Sequence, residues 1–301
     1  MKEKIRSLLK KRKAIMLSHN YQPPEIQDLA DLCGDSLELS IKAAQTDAEV
    51  IVFCGVHFMA ETASILSPDK TVLLPREDAG CLMADMIEPV GLQIMLDKLP
   101  PMPVVTYVNS TAAVKALSTI CCTSANVVDV VNSLDADEIL MTPDRNLALY
   151  AASQIKKKKI HTWDGYCPTH DRLKPEDVNH ARRTYPDAVF MAHPECRPEV
   201  LELADVIRST SGMIRYAKES KTSAFIVGTE IGLLYPLKKA NPDKLFYPAS
   251  SKMLCKNMKK IAIEDVARSL ELMEGEVKVP ENVRQPAFKA VQKMIDLSLS
   301  K

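Results

Sequence analysis

Apolar residues in this chain fall into two alternating patterns, short solid runs and longer stretches with helical spacing. That alternation predicts strands followed by helices. Residues 17–40, LSHNYQPPEIQDLADLCGDSLELS, set the layout. The run Ala14-Ile15-Met16-Leu17 gives way to His19, Asn20 and Tyr21. Pro23-Pro24 opens a predicted helix over 25–32 with apolar Ile26, Leu29, Ala30 and Leu32, and Gly34 reads as its left-handed cap. Asp35-Ser36 then reads as the N-cap of a second helix over 37–46.

Two later stretches repeat this layout. Residues 104–131 give a strand, Tyr107 and Asn109, a helix, Thr123-Ser124 and another helix. Residues 189–216 give a strand, His193 and Glu195, a helix, Ser209-Thr210-Ser211 and another helix. His19 lies 17 positions before Ser36, and His193 lies 17 before Thr210. Each copy continues through a helix, an apolar strand and a polar turn (IVFCGVH, EILMTPD, AFIVGTE) and closes near Cys81, Cys167 or Cys255, which are 86 and 88 positions apart. Fixed-period similarity is the mark of internal repeats. The chain therefore reads as α/β with three related domains, residues 1–85, 86–170 and 171–258, each with a parallel sheet. Closing helices within 259–301 are expected to pack back on the first.

Composition narrows the function. With 46% apolar residues, 26% charged residues and zero net charge, the chain is an ordinary globular protein without a basic footprint for nucleic acid. No apolar run approaches the ~20 residues that span a bilayer, so no membrane partner is expected. Residues 2–13 are basic but lead into no signal-peptide core, and eight cysteines without such a signal point to a cytoplasmic protein with free thiols or metal ligands. The run of residues 156–159 reads as a solvated helix end. Neither a G-x-G-x-x-G nor a P-loop fingerprint occurs, so nucleotide binding has no support.

Cys33, Cys54, Cys121, Cys122 and Cys196 sit in or beside apolar patterns and read as small buried hydrophobes. Cys81, Cys167 and Cys255 lie in polar Gly- or Pro-containing loops at equivalent points of the repeat. Three such loops would meet at one axis and form a soft-metal site for zinc or iron–sulfur. Cys167-Pro-Thr-His170 could complete a Cys3His zinc site, and the same residues suit a cluster with three cysteine ligands and one open iron. His19 and His193 occupy matching strand ends. With Tyr21, Tyr107, Asn109 and Glu195 they offer acid/base groups and hydrogen-bond donors around one axis. Ser36, Ser124 and Thr210-Ser211 read as caps that bring three helix N-termini together, which points to a small anionic substrate, with Thr210-Ser211-Gly212 the phosphate candidate.

Taken together, HNYQPPEIQDLAD…GDS, YVNS…CCTSAN, WDGYCPTH, AHPEC…STSGM and MLCKNMKK resemble the quinolinate synthase family in order and over nearly the whole chain. The resemblance implies a cytoplasmic enzyme of de novo NAD biosynthesis that condenses iminoaspartate with dihydroxyacetone phosphate to quinolinate, releasing phosphate and water. It implies three pseudo-symmetric αβα three-layer domains around an oxygen-sensitive 4Fe-4S cluster held by Cys81, Cys167 and Cys255, with the open iron acting as Lewis acid. A functional link to L-aspartate oxidase or aspartate dehydrogenase follows from the same resemblance. Carried over residue by residue, His19, Ser36, Tyr107, Asn109 and Ser124 would bind the dicarboxylate part of substrate and product. His193, Thr210 and Ser211 would hold the triose phosphate. Tyr21 and Glu195 would transfer protons, with His193 and Tyr107 also at the reacting centre, and His170 would line the cavity.

Overall fold

The computed structural model describes residues 1–300. Helix α1 (Lys2–Lys11) leads into a sheet of β1 (Ala14–His19), β2 (Leu32–Gly34), β3 (Val50–Cys54) and β4 (Thr71–Leu73), joined by α2 (Pro24–Gln27), α3 (Ser36–Gln45) and α4 (His57–Leu66). Helix α5 (Pro89–Leu96) crosses to β5 (Val104–Tyr107), β6 (Ile120–Cys122), β7 (Glu138–Thr142) and β8 (Lys159–Thr162), joined by α6 (Ala112–Lys115), α7 (Val127–Ser133) and α8 (Arg145–Gln154). After α9 (Pro168–Asp171) and α10 (Pro175–Thr184) comes a third set, β9 (Val189–Ala192), β10 (Val206–Ile207), β11 (Ala224–Gly228) and β12 (Leu245–Pro248), joined by α11 (Pro198–Leu201), α12 (Thr210–Glu219) and α13 (Leu234–Ala240). Helices α14 (Ile263–Leu272) and α15 (Glu281–Leu299) close the chain.

The three sheets are parallel and share one topology, β2-β1-β3-β4, β6-β5-β7-β8 and β10-β9-β11-β12. The strand β3, VIVFC, is buried at every residue, which a sheet covered on both faces requires. In this strand order the switch point lies between the two central strands, and ligands collect at the carboxyl ends there. Helix α14 packs on α1, while α15 lies along α4 and also along α6 and β6 of the second sheet.

Three predicted details differ from the structure. The stretch 25–32 is not one helix: α2 has four residues, and Leu32–Gly34 is an edge strand paired with Leu17–His19. Edge strands of two or three residues carry too few side chains to show a period. Gly34 does not adopt a left-handed cap; a Cβ there would lie 2.8 Å from the Glu38 carboxylate, so close approach requires the glycine. Lys158 is not solvated, because its ammonium donates to the carbonyls of Leu134 and Ala136.

That lysine belongs to a repeated device. Lys70 donates to Thr46 and Ala48 carbonyls, and Lys244 to Ala217 and Ser220 carbonyls. In each unit a lysine before the last strand caps the C-terminal end of the helix before the third strand (α3, α7, α12), where backbone acceptors lack helical partners. A second repeated device ties the first central strand to its edge. Met16 N–H donates to Asp31 (2.8 Å), Val104 N–H to Thr119 (3.0 Å) and Phe190 N–H to Asp205 (2.8 Å), each pair 15 residues apart. These polar contacts identify the three units as copies more directly than their apolar cores do. Replacing Lys244 by Met leaves part-buried helix-end carbonyls without that donor and is expected to cost ~1 kcal/mol or more in denaturant unfolding. The exposed Lys221→Met should change stability by less than ~0.5 kcal/mol. Equal midpoints for the two variants would refute the capping role.

Candidate active site

The central strands β1, β5 and β9 end at or just before His19, Tyr107 and His193, and these three residues open into one cavity of about 310 Å3. The residues two positions later, Tyr21, Asn109 and Glu195, line the same cavity. Ser36, Ser124 and Thr210 join them, as do His170 and all three loop cysteines. Ser211 is not brought in. Its hydroxyl faces the contact between the first and third units, donating to Glu38 and accepting from Asp35 N–H at 3.2 Å.

The caps also differ from the sequence reading. Asp35 caps α3 by accepting from the N–H groups of Leu37 and Glu38, and Ser209 caps α12 by accepting from Gly212. In the second unit Thr123 accepts from Ala125. Ser36, Ser124 and Thr210 each follow the residue that satisfies the turn, so their hydroxyls are free to face the cavity. Asn20 orients Thr210 by donating to its hydroxyl at 3.1 Å.

At the centre is Glu195, only 3% exposed. Tyr107 donates to its Oε1 at 2.5 Å, and His170 Nδ1 lies 2.6 Å from its Oε2. His170 Nε2 meets the Thr229 hydroxyl at 2.8 Å, and Thr229 meets Tyr21 at 2.6 Å. A continuous line of polar contacts thus runs Tyr107–Glu195–His170–Thr229–Tyr21. Burial alone would raise the Glu195 pKa, but His170 and the bond from Tyr107 outweigh it and hold the carboxyl below the usual range. Burial and the neighbouring carboxylate push both phenols well above their ordinary value, so Tyr21 and Tyr107 stay protonated.

His19 and His193 share one arrangement. Each ring accepts at Nδ1 from the backbone N–H two residues on, Tyr21 at 3.1 Å and Glu195 at 3.4 Å. That fixes a neutral ring with its proton on Nε2. Burial lowers both pKa values to about 3. Asn109 keeps a buried Oδ1 with no protein partner, an acceptor left for a ligand N–H or O–H.

The cysteines separate into two kinds. Cys54, Cys121, Cys122 and Cys196 are fully buried, and Cys33 and Cys196 donate their thiols to the carbonyls of Gln27 and Gly228. Cys81, Cys167 and Cys255 instead accept backbone N–H donation from the turn that follows each of them: Met83 and Ala84, His170, and Asn257 and Met258. Donation toward sulfur suits thiolate ligands. Burial pushes the metal-free Cys81 thiol up to about 12 and raises the other two, so binding of a cation would displace the protons. Ligand atoms of Cys167, His170 and Glu195 also lie within 4.8 Å of one another. Both His170 nitrogens already have protein partners, however, which weighs against it as a fourth zinc ligand.

Sequence reasoning missed Thr229, Glu230 and Lys259. Thr229 and Glu230 lie in the polar turn AFIVGTE, which repeats after each third strand and so marks a strand end beside the switch point. Glu230 accepts from Cys255 N–H and from Lys259, whose ammonium also reaches the Tyr21 carbonyl. The third cysteine loop is thereby tied to the first unit.

Acid/base groups at the carboxyl ends of three parallel sheets, joined around one cavity, define an α/β enzyme assembled from repeated units. The chain matches the family described as Quinolinate synthetase A protein over residues 3–296, and it belongs to that family of enzymes. Quinolinate synthase of Geobacter sp. (strain M21) is 57% identical over 295 residues, covering 98% of this chain and 97% of that protein. The enzyme of the same name from Thermodesulfovibrio yellowstonii is 52% identical over 295 residues, with the same coverage. Quinolinate synthase 1 of Methanosarcina acetivorans is 55% identical over 293 residues, covering 97% and 96%.

The neutral histidines carry a pH signature. Unfolded imidazoles titrate at the ordinary 6.5, whereas folded His19 and His193 titrate at about 3. The unfolded chain therefore binds more protons between those values, and stability is lost as pH falls from about 6.5 toward 3. His193→Gln should flatten this part of the stability–pH curve. An unchanged slope would mean that the ring is not held neutral.

Proposed function

We propose that the chain is a quinolinate synthase, condensing iminoaspartate with dihydroxyacetone phosphate to quinolinate with release of phosphate and water in NAD biosynthesis. The observation that carries this reading is the sharing of one cavity by three N–H-supported cysteines and the Tyr107–Glu195–His170–Thr229–Tyr21 line. Three units, residues 1–85, 86–170 and 171–258, would each contribute one cysteine. A 4Fe-4S cluster held by Cys81, Cys167 and Cys255 would supply a Lewis-acidic iron that polarises a substrate oxygen.

The chain's own residues divide the remaining work. His19 Nε2–H, Ser36, Tyr107, Asn109 and Ser124 bind the dicarboxylate, and His193 and Thr210 hold the triose phosphate. Ser211 supports that site indirectly, through the Asn20 amide that reaches both hydroxyls. Glu195 accepts the carbon-bound protons whose loss makes the ring aromatic. A proton reaching Glu195 can be shared with His170, whose other nitrogen is held by Thr229 and through it by the protonated Tyr21, so the line keeps carboxylate and imidazole in register. Burial of Tyr107, Glu195 and His170 in protein strengthens these interactions. Among the described residues no helix is long and apolar enough to cross a membrane. A cytoplasmic location fits this reading, with L-aspartate oxidase or aspartate dehydrogenase as supplier of the unstable imine.

The deciding experiment is anaerobic turnover of iminoaspartate and dihydroxyacetone phosphate with quinolinate as the readout, beside iron, sulfide and zinc analysis. Zinc without labile sulfide and no quinolinate would favour a structural Cys3His site and overturn the proposal. Cys255→Ala should lose iron and sulfide, whereas Cys33→Ala should retain both; full retention in Cys255→Ala would remove that ligand from the set. Glu195→Gln preserves size and much of the hydrogen bonding but removes the base. It should keep its cluster while turnover falls ~10²–10⁴-fold. Turnover within a few-fold of the parent would mean that another group moves the proton, with Tyr21 the next to be replaced.

A further inference from the structure

One fully buried charge has no part in this scheme. Lys115, the last residue of α6, is 0% exposed and forms no ion pair among the described residues. Its ammonium donates to the Ser110 carbonyl and lies 5.6 Å over the Phe58 ring. Burying an ammonium without a direct ion pair is costly, and burial lowers its pKa, with Glu61, Cys121 and Cys81 opposing only in part. A methionine would fill the same space without that cost, so the donor itself calls for an explanation.

The internal repeat supplies one. Lys115 lies eight positions after Tyr107, and Gln27, the last residue of α2, lies eight after His19. Gln27 Nε2 donates to the Gln22 carbonyl at 2.8 Å and to the Asn20 carbonyl at 3.0 Å. Gln22 and Ser110 are both three positions past the strand-end residue. Two units therefore place a long donor at the end of the short helix, reaching back to the same carbonyl of the loop that enters the cavity. In the third unit the equivalent residue is Leu201, and the corresponding loop is held from outside, by Asn146 Nδ2 donating to the Glu195 carbonyl at 3.2 Å. Lys115 does not line the cavity, so its effect passes through the loop. The Ser110 hydroxyl extends the tie by donating to the Tyr107 carbonyl at 3.0 Å.

We propose that Lys115 is a positioning residue that fixes the loop 107–111, and with it Tyr107 and Asn109, as Gln27 fixes the loop bearing His19 and Tyr21. What it supplies is a hydrogen-bond donor, and the charge is incidental. The turnover arm of the test rests on the function proposed above; the exchange arm does not.

Amide hydrogen exchange on the full chain as purified anaerobically reads the loop directly. Lys115→Met should accelerate exchange within 107–112 by roughly tenfold or more, leaving 19–23 unchanged. Lys115→Gln, which copies the first unit's solution, should return exchange to within about threefold of the parent. Anaerobic kcat/KM should fall in Lys115→Met by up to about 10²-fold, the scale of a ~1 Å misplacement, and recover in Lys115→Gln, at constant cluster absorbance. If Lys115→Gln exchanges as fast as Lys115→Met, or if Lys115→Met matches the parent, the proposal fails. Should Lys115→Met not fold, Gln27→Leu puts the same question to residues 19–23, and parental exchange there would equally overturn it. A parent that makes no quinolinate, combined with the predicted exchange pattern, would refute the proposed function and leave the positioning role standing.

Discussion

The structure depends on keeping one buried carboxylate ionised. Glu195 is enclosed on every side, and removing a charge from water costs several kcal/mol unless its lone pairs are met. The partners come from different parts of the chain: Tyr107 from the second sheet and His170 from the segment after Cys167. The Glu195 carbonyl is held by Asn146 at the start of α8. Asp171, next to His170, is clamped by Arg197 and Arg145, the first from the third unit and the second from the second. Separating the units would strand that charge. Electrostatics at the centre thus complements apolar packing further out, where one continuous core runs through residues of all three sheets.

Repetition explains how such a centre could be assembled with little new structure. Three copies of one parallel sheet bring three equivalent strand ends together, and the scaffold contacts are retained. Lysines cap helix ends and Asp31, Thr119 and Asp205 anchor central strands in every unit. The cavity positions have instead diverged. His19, Tyr107 and His193 are equivalent, as are Tyr21, Asn109 and Glu195. A symmetric frame therefore presents an asymmetric set of groups, as the proposed reaction between two unlike substrates would require.

Much of this was legible in the sequence because repetition amplifies weak signals. A lone histidine after a strand says little, whereas His19 and His193 at matching places say where the strands end. The same comparison separated Cys81, Cys167 and Cys255 from the other five cysteines. What escaped has physical reasons. Strands β2, β6 and β10 have three residues or fewer, too short for periodicity, and they were absorbed into loops or helices. Asp35-Ser36 and Ser209-Thr210 each offer two good capping types, and only the hydrogen bonds show that Asp35 and Ser209 do the capping. Ser211 points into a unit–unit contact, a direction that helical phase alone does not reveal. Thr229 escaped because a threonine after a strand has no chemistry until His170 and Tyr21 are placed on either side of it.

A last constraint concerns charge. The proposed substrates are anions, yet the cavity already holds a carboxylate, so binding needs donors that do not neutralise Glu195. A buried lysine or arginine beside it would lower its basicity further than His170 and Tyr107 already do. The cavity's inner donors are instead neutral: Nε2–H of His19 and His193, the Asn109 amide, and the hydroxyls of Ser36, Ser124 and Thr210. Formal positive charge is kept to Arg172 and Lys256 in the lining, where it can attract anions without pairing with the base. Neutral dipoles hold an anion at short range and have little reach, which lets one small cavity bind negative groups and still keep a negative base. In the proposed reaction, the backbone bonds that hold His19 and His193 neutral would thus serve substrate binding as well as the local fold.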